Sequence, residues 1–113
     1  MSGSIGMLYD QLRPEERLLI EAAKRKSVKL GLHDSEKLYL NTRHRDQGEL
    51  FEEVVLQRCL SYFRSVHLTS ILENKGITVI NSSKIATVCG NKLLASMKLE
   101  EANIPTPHTV VAF

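Results

Sequence analysis

The sequence predicts an α/β fold, a mostly parallel open sheet of about four to five strands flanked by helices. Two observations carry this reading. Short apolar or β-branched runs alternate with amphipathic stretches at the spacing of βαβ units, which right-handed crossovers join into a parallel sheet. The strand-like runs are apolar through their centres, as strands covered on both faces are.

The first run, Ile5-Gly6-Met7-Leu8-Tyr9, is read as the central strand. Gly3 and Gly6 come before or inside it, so they make no dinucleotide fingerprint, which must follow a strand and open a helix. Asp10 to Arg13 makes a turn, and Pro14 suits the first position of a helix. Glu15 and Glu16 near its start and Lys24-Arg25-Lys26 near its end complement the helix dipole. Leu18, Leu19, Ala22 and Ala23 are expected to face the sheet. Val28 to Leu32 reads as the second strand, weakened by Gly31 and Lys29, and Lys37 to Leu40 as a further short strand or a continuation. The polar stretch from Asn41 to Glu49 reads as a surface loop.

Glu53 to Arg58 is the next strand. A helix follows, from Ser61 or Ser65 to Lys75, with Phe63, Val66, Ser70 and Ile71 inward and Gly76 as its stop. Ile77 to Ile80 is another strand, closed by the helix-start residues Asn81-Ser82-Ser83. A short helix breaks at Gly90, and Asn91 opens a second one to about Ala102, with Leu93, Leu94 and Met97 inward. Pro105 and Pro107 end the helical region, and His108 to Ala112 reads as a final strand.

The chain has 113 residues, 42% hydrophobic and 25% charged, which suits one globular domain with a single core. A net charge of +2 spread along the chain lacks the concentrated basic face that nucleic acid requires. No apolar run is long enough to span a membrane, and the start Met1-Ser2-Gly3-Ser4 lacks the pattern of a signal peptide, so a cytoplasmic location is expected. Cys59 and Cys89 have no partner at zinc-ligand spacing and are read as buried, reduced thiols. Arg58 beside Cys59 would lower that thiol's pKa, yet no nucleophile set assembles around it. His33, His44, His67 and His108 show no metal-ligand or triad grouping.

In a parallel sheet, ligands bind outside the carboxyl ends of the strands. Those ends are Tyr9-Asp10-Gln11, Arg58-Cys59-Leu60-Ser61 and Asn81-Ser82-Ser83. Arg58 and Arg64 at one edge could hold a carboxylate or phosphate through bidentate pairs, or be spent on Glu52, Glu53 or Glu73. Asn81 and Ser82 could donate to a ligand, although capping alone would also explain them. Asp10 is read as capping its turn. The Gly90 break leaves Lys92 in the first turn of a helix, beside backbone N–H groups without intrahelical partners, where an anion could use both.

The strand ending in Asn81-Ser82, followed by Cys89-Gly90-Asn91-Lys92, resembles ATP-grasp ligases of the RimK/LysX-like branch, whose tetrad reads Cys-Gly-Asp-Lys. The resemblance extends over Leu8-Tyr9-Asp10, Arg13-Pro14-Glu15-Glu16, Arg58 to Arg64 and Gly76 to Pro107. It implies that residues 1–113 form the Rossmann-like pre-ATP-grasp domain, with the ATP-grasp lobes absent from this chain. By the same resemblance the parent enzyme uses ATP and Mg2+ to join a carboxylate to an amine through an acyl phosphate. Lys92 would reach the ATP phosphates, while Arg58, Arg64, Asn81 and Ser82 lie towards the amino-acid or acyl substrate. The LysX type attaches 2-aminoadipate to the C-terminal glutamate of a small acidic carrier protein, and the RimK type adds glutamate to a ribosomal protein. Without the lobes the chain is expected to be inactive and to bind no cofactor tightly.

Of two rival readings, the first fails on its chemistry. A receiver domain needs an acidic pair after the first strand and an Asp ending the third; here Asp10 stands alone and that strand ends in Arg58. A non-catalytic binding or homo-oligomerisation module would use the sheet edge or an exposed helix.

Overall fold

The computed structural model describes residues 4–42 and 52–113, so most of the loop read over Asn41–Glu49 lies outside the described residues. The elements run β1 (Ser4–Tyr9), α1 (Pro14–Arg25), β2 (Lys29–Asp34), β3 (Val54–Arg58), α2 (Tyr62–Asn74), β4 (Thr78–Ile80), α3 (Ser83–Cys89) and α4 (Lys92–Glu101). A 3-10 turn at Ser35–Lys37 follows β2.

The four strands form one sheet in the order β2-β1-β3-β4, and every neighbouring pair is parallel. From β1 the chain steps to one side to reach β2, while β3 to β4 steps to the other. Right-handed crossovers in opposite directions put α1 and α2 on opposite faces and leave a switch point between the carboxyl ends of β1 and β3. Side-chain alternation agrees. Leu8, Val55 and Val79 face α2, where they pack with Leu72 as the core. Met7, one residue before Leu8, is equally buried on the α1 side. Gln57 also faces α2: its amide donates to Thr69 Oγ1 at 2.9 Å, and its carbonyl oxygen accepts from Cys59 N at 3.0 Å.

Helix ends follow local chemistry. Ser61, Ser82 and Asn91 cap α2, α3 and α4, each side-chain oxygen accepting from backbone N–H groups in the first turn. At the end of α2, Gly76 has φ +85°, and its N–H and that of Ile77 donate to Glu73 O and Leu72 O. The left-handed position with this bond pair is a Schellman stop, and glycine fills it without strain. Ser27 (φ 54°) and Asn103 (φ 57°) occupy the equivalent place after α1 and α4.

Several expectations are corrected. Lys37 to Leu40 forms no strand: Asp34 accepts from Glu36 N at 3.0 Å and turns the chain into the 3-10 turn, after which Leu38 and Leu40 pack onto the core. His108 to Ala112 is not a strand either, and these residues are exposed. In α1, Leu18 is 63% exposed and Ile20 is half-buried, because the inward arc is centred on the buried Glu16. In α2, Thr69 and Leu72 are buried while Phe63 and Ser70 are exposed. Leu93 and Met97 of α4 are likewise exposed, since that helix packs on α3 instead of the sheet.

A glycine pair shapes the sheet's α2 face. Gly6 and Gly31 are register partners in β1 and β2. A Cβ on either would overlap the carboxylate of Glu52, which lies across them and bonds His33 Nε2 at 2.8 Å. Gly31, weak as a strand former, leaves the room that this carboxylate occupies.

Candidate functional site at the carboxyl edge of the sheet

Asp10 follows β1 directly and organises the α2 side of the switch point. Its carboxylate accepts from Leu60 N at 2.8 Å, Ser61 N at 3.2 Å and Arg64 Nη1 at 3.1 Å, and from the hydroxyl of Ser35. Burial pushes its pKa upward, but the bonds from Ser35, Ser61, Arg64 and Leu60 outweigh this and hold it at about 2. Asp10 thus ties the β3–α2 turn to β1, and Arg64 completes the pairing, with Glu36 Oε1 a further 3.8 Å away.

Glu16 performs the parallel task on the α1 side. Its side chain has no solvent exposure and meets Arg13 Nη2 at 2.6 Å and Arg58 Nη2 at 3.2 Å. It also accepts from Arg13 N at 3.2 Å, three residues back, as in a capping box. The Arg13 side-chain bond is the main cause that lowers the Glu16 pKa to about 2, against an opposing push from burial. Two guanidinium groups share the Glu16 carboxylate, and Arg13 also reaches Glu15 Oε2 at 4.0 Å, so the cluster balances two arginines with two glutamates. Arg58, about a third exposed, is its outward member.

Arg58 and Arg64 therefore both stand at the switch point, but the strand alternation directs them to opposite faces. Their partners are Glu16 and Asp10 with Glu36, not Glu52, Glu53 or Glu73. Glu52 bonds His33, and Glu73 accepts from the backbone N and hydroxyl of Ser83 at 2.9 and 2.5 Å.

At the end of β4, Asn81 is exposed after a cis Ile80–Asn81 peptide, and Ser82 Oγ accepts from Ile85 N at 3.3 Å as the cap of α3. The α3–α4 joint has the expected form: Asn91 caps α4, and Lys92 is its first residue. Asn91 Oδ1 accepts from Leu93 N at 3.0 Å and Leu94 N at 3.2 Å, so fewer N–H groups remain beside Lys92 than an uncapped start would offer. Lys92 is exposed and makes no ion pair among the described residues. Tyr62, first residue of α2, ties this joint to the switch point: its hydroxyl donates to Thr87 O at 3.2 Å, and its ring covers Gly90.

Both thiols are free. Cys59 is half-buried against the core, and its pKa is pushed up to about 12, first by burial and then by the charge of Asp10. The expected lowering by Arg58 is thereby corrected, because that guanidinium leaves the strand towards the other face. Cys89, expected to be buried, is exposed. Among the described residues, no group of three His, Cys, Asp or Glu could hold a metal ion, and no helix is long and apolar enough to cross a membrane.

Glu16 and Tyr62 are the participants that residue patterns missed. The Arg13-x-x-Glu16 spacing carried a capping signal for Glu16, but its contact with Arg58, 42 residues away, had no local signature. Nothing in the sequence pairs Tyr62 with Gly90.

Fold and site define a doubly wound α/β domain with two guanidinium groups flanking its switch point and a lysine opening a helix beyond it. The family description "LysX preATP-grasp domain" matches residues 5–88, and the chain belongs to that family. It is 35% identical over 112 residues to the alpha-aminoadipate–LysW ligase LysX of Sulfurisphaera tokodaii, covering 96% of this chain and 39% of the relative. The glutamate–LysW ligase ArgX of the same organism is 31% identical over 108 residues, covering 94% of this chain and 36% of the relative. The crystal structure of a RimK domain ATP-grasp protein from Sphaerobacter thermophilus superposes with a TM-score of 0.77 at 28% identity, over 94% of this chain and 39% of that one. The chain thus spans about two fifths of the length of these relatives. They place it as a RimK/LysX-like pre-ATP-grasp domain.

Proposed function

We propose that this chain is the substrate-side N-terminal domain of a cytoplasmic LysX-type ligase. That enzyme would join 2-aminoadipate, or glutamate, to the C-terminal glutamate of a small acidic carrier protein through an acyl phosphate. ATP would supply the phosphoryl group, and the enzyme's ATP-grasp lobes would supply most of its binding site. The observation that carries the reading is Arg58, about a third exposed at the switch point and oriented there by the fully buried carboxylate of Glu16. A guanidinium already oriented by Glu16 can receive a substrate carboxylate without the entropic cost of ordering a free side chain. Arg64, Asn81 and Ser82 would line the same edge from the α2 side and the β4 end. Lys92, exposed and without an ion pair among the described residues, would offset phosphate charge across the cleft once the lobes close it. The described residues offer no ligand set for Mg2+, so the lobes would hold it. The two LysW ligases among the relatives favour this reading over glutamate addition to a ribosomal protein.

The test is a chimera in which this chain replaces the matching segment of the Sulfurisphaera tokodaii LysX. ADP release that depends on both LysW and an amino acid supports the reading, and comparison of 2-aminoadipate with glutamate ranks the two substrates. A folded chimera without LysW-dependent turnover opposes it. Calorimetry on the chain alone should detect no Mg·ATP binding tighter than about 1 mM, since a few positioning groups give little affinity by themselves. Micromolar binding would mean that the domain holds a far more complete nucleotide site.

A further inference from the structure

α2 grips α3 at both ends. Near the C-terminus of α2, Glu73 accepts from the backbone N and hydroxyl of Ser83, the first residue of α3. At the N-terminus of α2, Tyr62 reaches the far end of α3: its hydroxyl donates to Thr87 O at 3.2 Å, and its ring occupies the room that Gly90 leaves. α4 has no comparable hold on the sheet and packs on α3. The place of α4 is therefore decided by α3, and the last turn of α3 is held by Tyr62.

The joint passes this placement on. Asn91 N donates to Val88 O at 3.2 Å, while Asn91 O accepts from Ala95 N at 2.9 Å. One residue thus belongs to the hydrogen bonding of both helices, and its Oδ1 also caps α4. With Gly90 held against the ring, turning either helix about the joint would break one of these bonds. Lys92, the next residue, inherits its position. The opposite end of the connection is tied as well. Tyr62 follows Ser61, whose N–H donates to Asp10 Oδ2 at 3.2 Å, and Asp10 directly follows β1. A continuous path of short contacts and bonds thus runs from the end of β1 through Tyr62 to the start of α4.

We infer that Tyr62 is a positioning residue: it fixes Lys92 relative to the carboxyl edge of the sheet, so that the phosphate-side cation and the substrate-side guanidinium groups keep one spacing. The role of Lys92 comes from the proposed ligase function, so the part assigned to Tyr62 rests on that reading and adds the residue that places the lysine. Phosphoryl transfer gains chiefly from charges in the right place, and a misplacement of about 1 Å can cost up to about 100-fold in rate.

Kinetics of the LysX chimera carrying this chain test it. Tyr62→Ala should raise the KM for ATP by about tenfold and leave that for the amino acid within about twofold. Tyr62→Phe keeps a ring on Gly90 and should hold the parent value. Gly90→Ala, which strains the same contact from the other side, should reproduce the split. In a Lys92→Ala background Tyr62→Ala should change the KM for ATP no further, because its effect passes through the lysine. Equal rises for both substrates, or effects of Tyr62→Ala and Lys92→Ala that multiply, overturn the inference and leave Tyr62 a packing residue. An inactive parent chimera fells the ligase reading, and the placement of Lys92 is then read on the chain alone by amide hydrogen exchange. The Ala95 amide should exchange about tenfold faster in Tyr62→Ala than in Tyr62→Phe, and equal exchange overturns the inference.

Discussion

The ring of Tyr62 lies against Gly90, so that a Cβ on that glycine would stand 2.6 Å from Tyr62 Cε2 and 2.8 Å from the carbonyl oxygen of Ala86. This contact fixes the joint between α3 and α4 to the first residue of α2, and with it the place where Lys92 begins its helix. Gly90→Ala should therefore destabilise the chain by about 1–2 kcal/mol through overpacking. Tyr62→Phe, which loses only the bond to Thr87 O, should cost less, about 1 kcal/mol. Tyr62→Ala opens the space over Gly90, so the alanine at 90 should cost less in that background. Urea unfolding of the parent, Gly90→Ala, Tyr62→Ala and the double variant forms the double-mutant cycle, and purely additive effects would contradict the contact.

Acid should unfold this protein through Glu16 and Asp10. Both carboxyls sit at about 2, below their ordinary values, so each binds its proton more weakly in the folded chain than in the unfolded one. Their stabilisation is complete above the unfolded pKa near 4 and is lost as pH falls towards 2. The urea midpoint should be flat from pH 7 to about 5 and then drop steeply. Asp10→Asn and Glu16→Gln should each lower the midpoint at pH 7 and flatten the drop. For Glu16→Gln, about 2 kcal/mol is expected, since a buried acceptor of charge-assisted bonds is lost.

Ser27→Gly should stabilise the chain by about 0.5–1 kcal/mol, because Ser27 holds φ 54° in a position where glycine escapes the Cβ penalty. The gain should appear as a raised urea midpoint with an unchanged slope. Ser27→Val should move the midpoint the other way.

Lys92→Ala separates function from folding. The side chain is exposed and makes no ion pair among the described residues, so stability should stay within about 0.5 kcal/mol of the parent. In the LysX chimera the same change should depress the rate of ADP release. Equal turnover by both proteins would remove Lys92 from the proposed phosphate contact.

Local chemistry made most of the architecture legible. Pro14, the acidic first turn and the basic last turn marked α1 to within a residue, and Gly76 marked the end of α2. Asn91 was readable as a cap because capping is decided by a side chain and the N–H groups two and three residues on. The misreadings share one cause, namely that partners distant in sequence leave no periodic trace. Leu18 looks inward until the buried Glu16 is seen to centre the inward arc. Lys37 to Leu40 looks like a strand until Asp34 turns the chain. His108 to Ala112 has strand composition, but composition alone supplies no neighbour to pair with. For the site, Arg58 was visible at its strand end, whereas the carboxylate that aims it lies 42 residues upstream.

The carboxylate of Glu52 resting across Gly6 and Gly31 carries a further consequence. Two absent side chains act as a keyhole, and the segment that feeds β3 is the key. A substitution at either glycine would not merely crowd the sheet; it would eject the acid that bonds His33 and shift the approach to the strand that ends in Arg58. A side chain at either position should therefore move the Glu52 carboxylate off His33 before it disturbs the backbone.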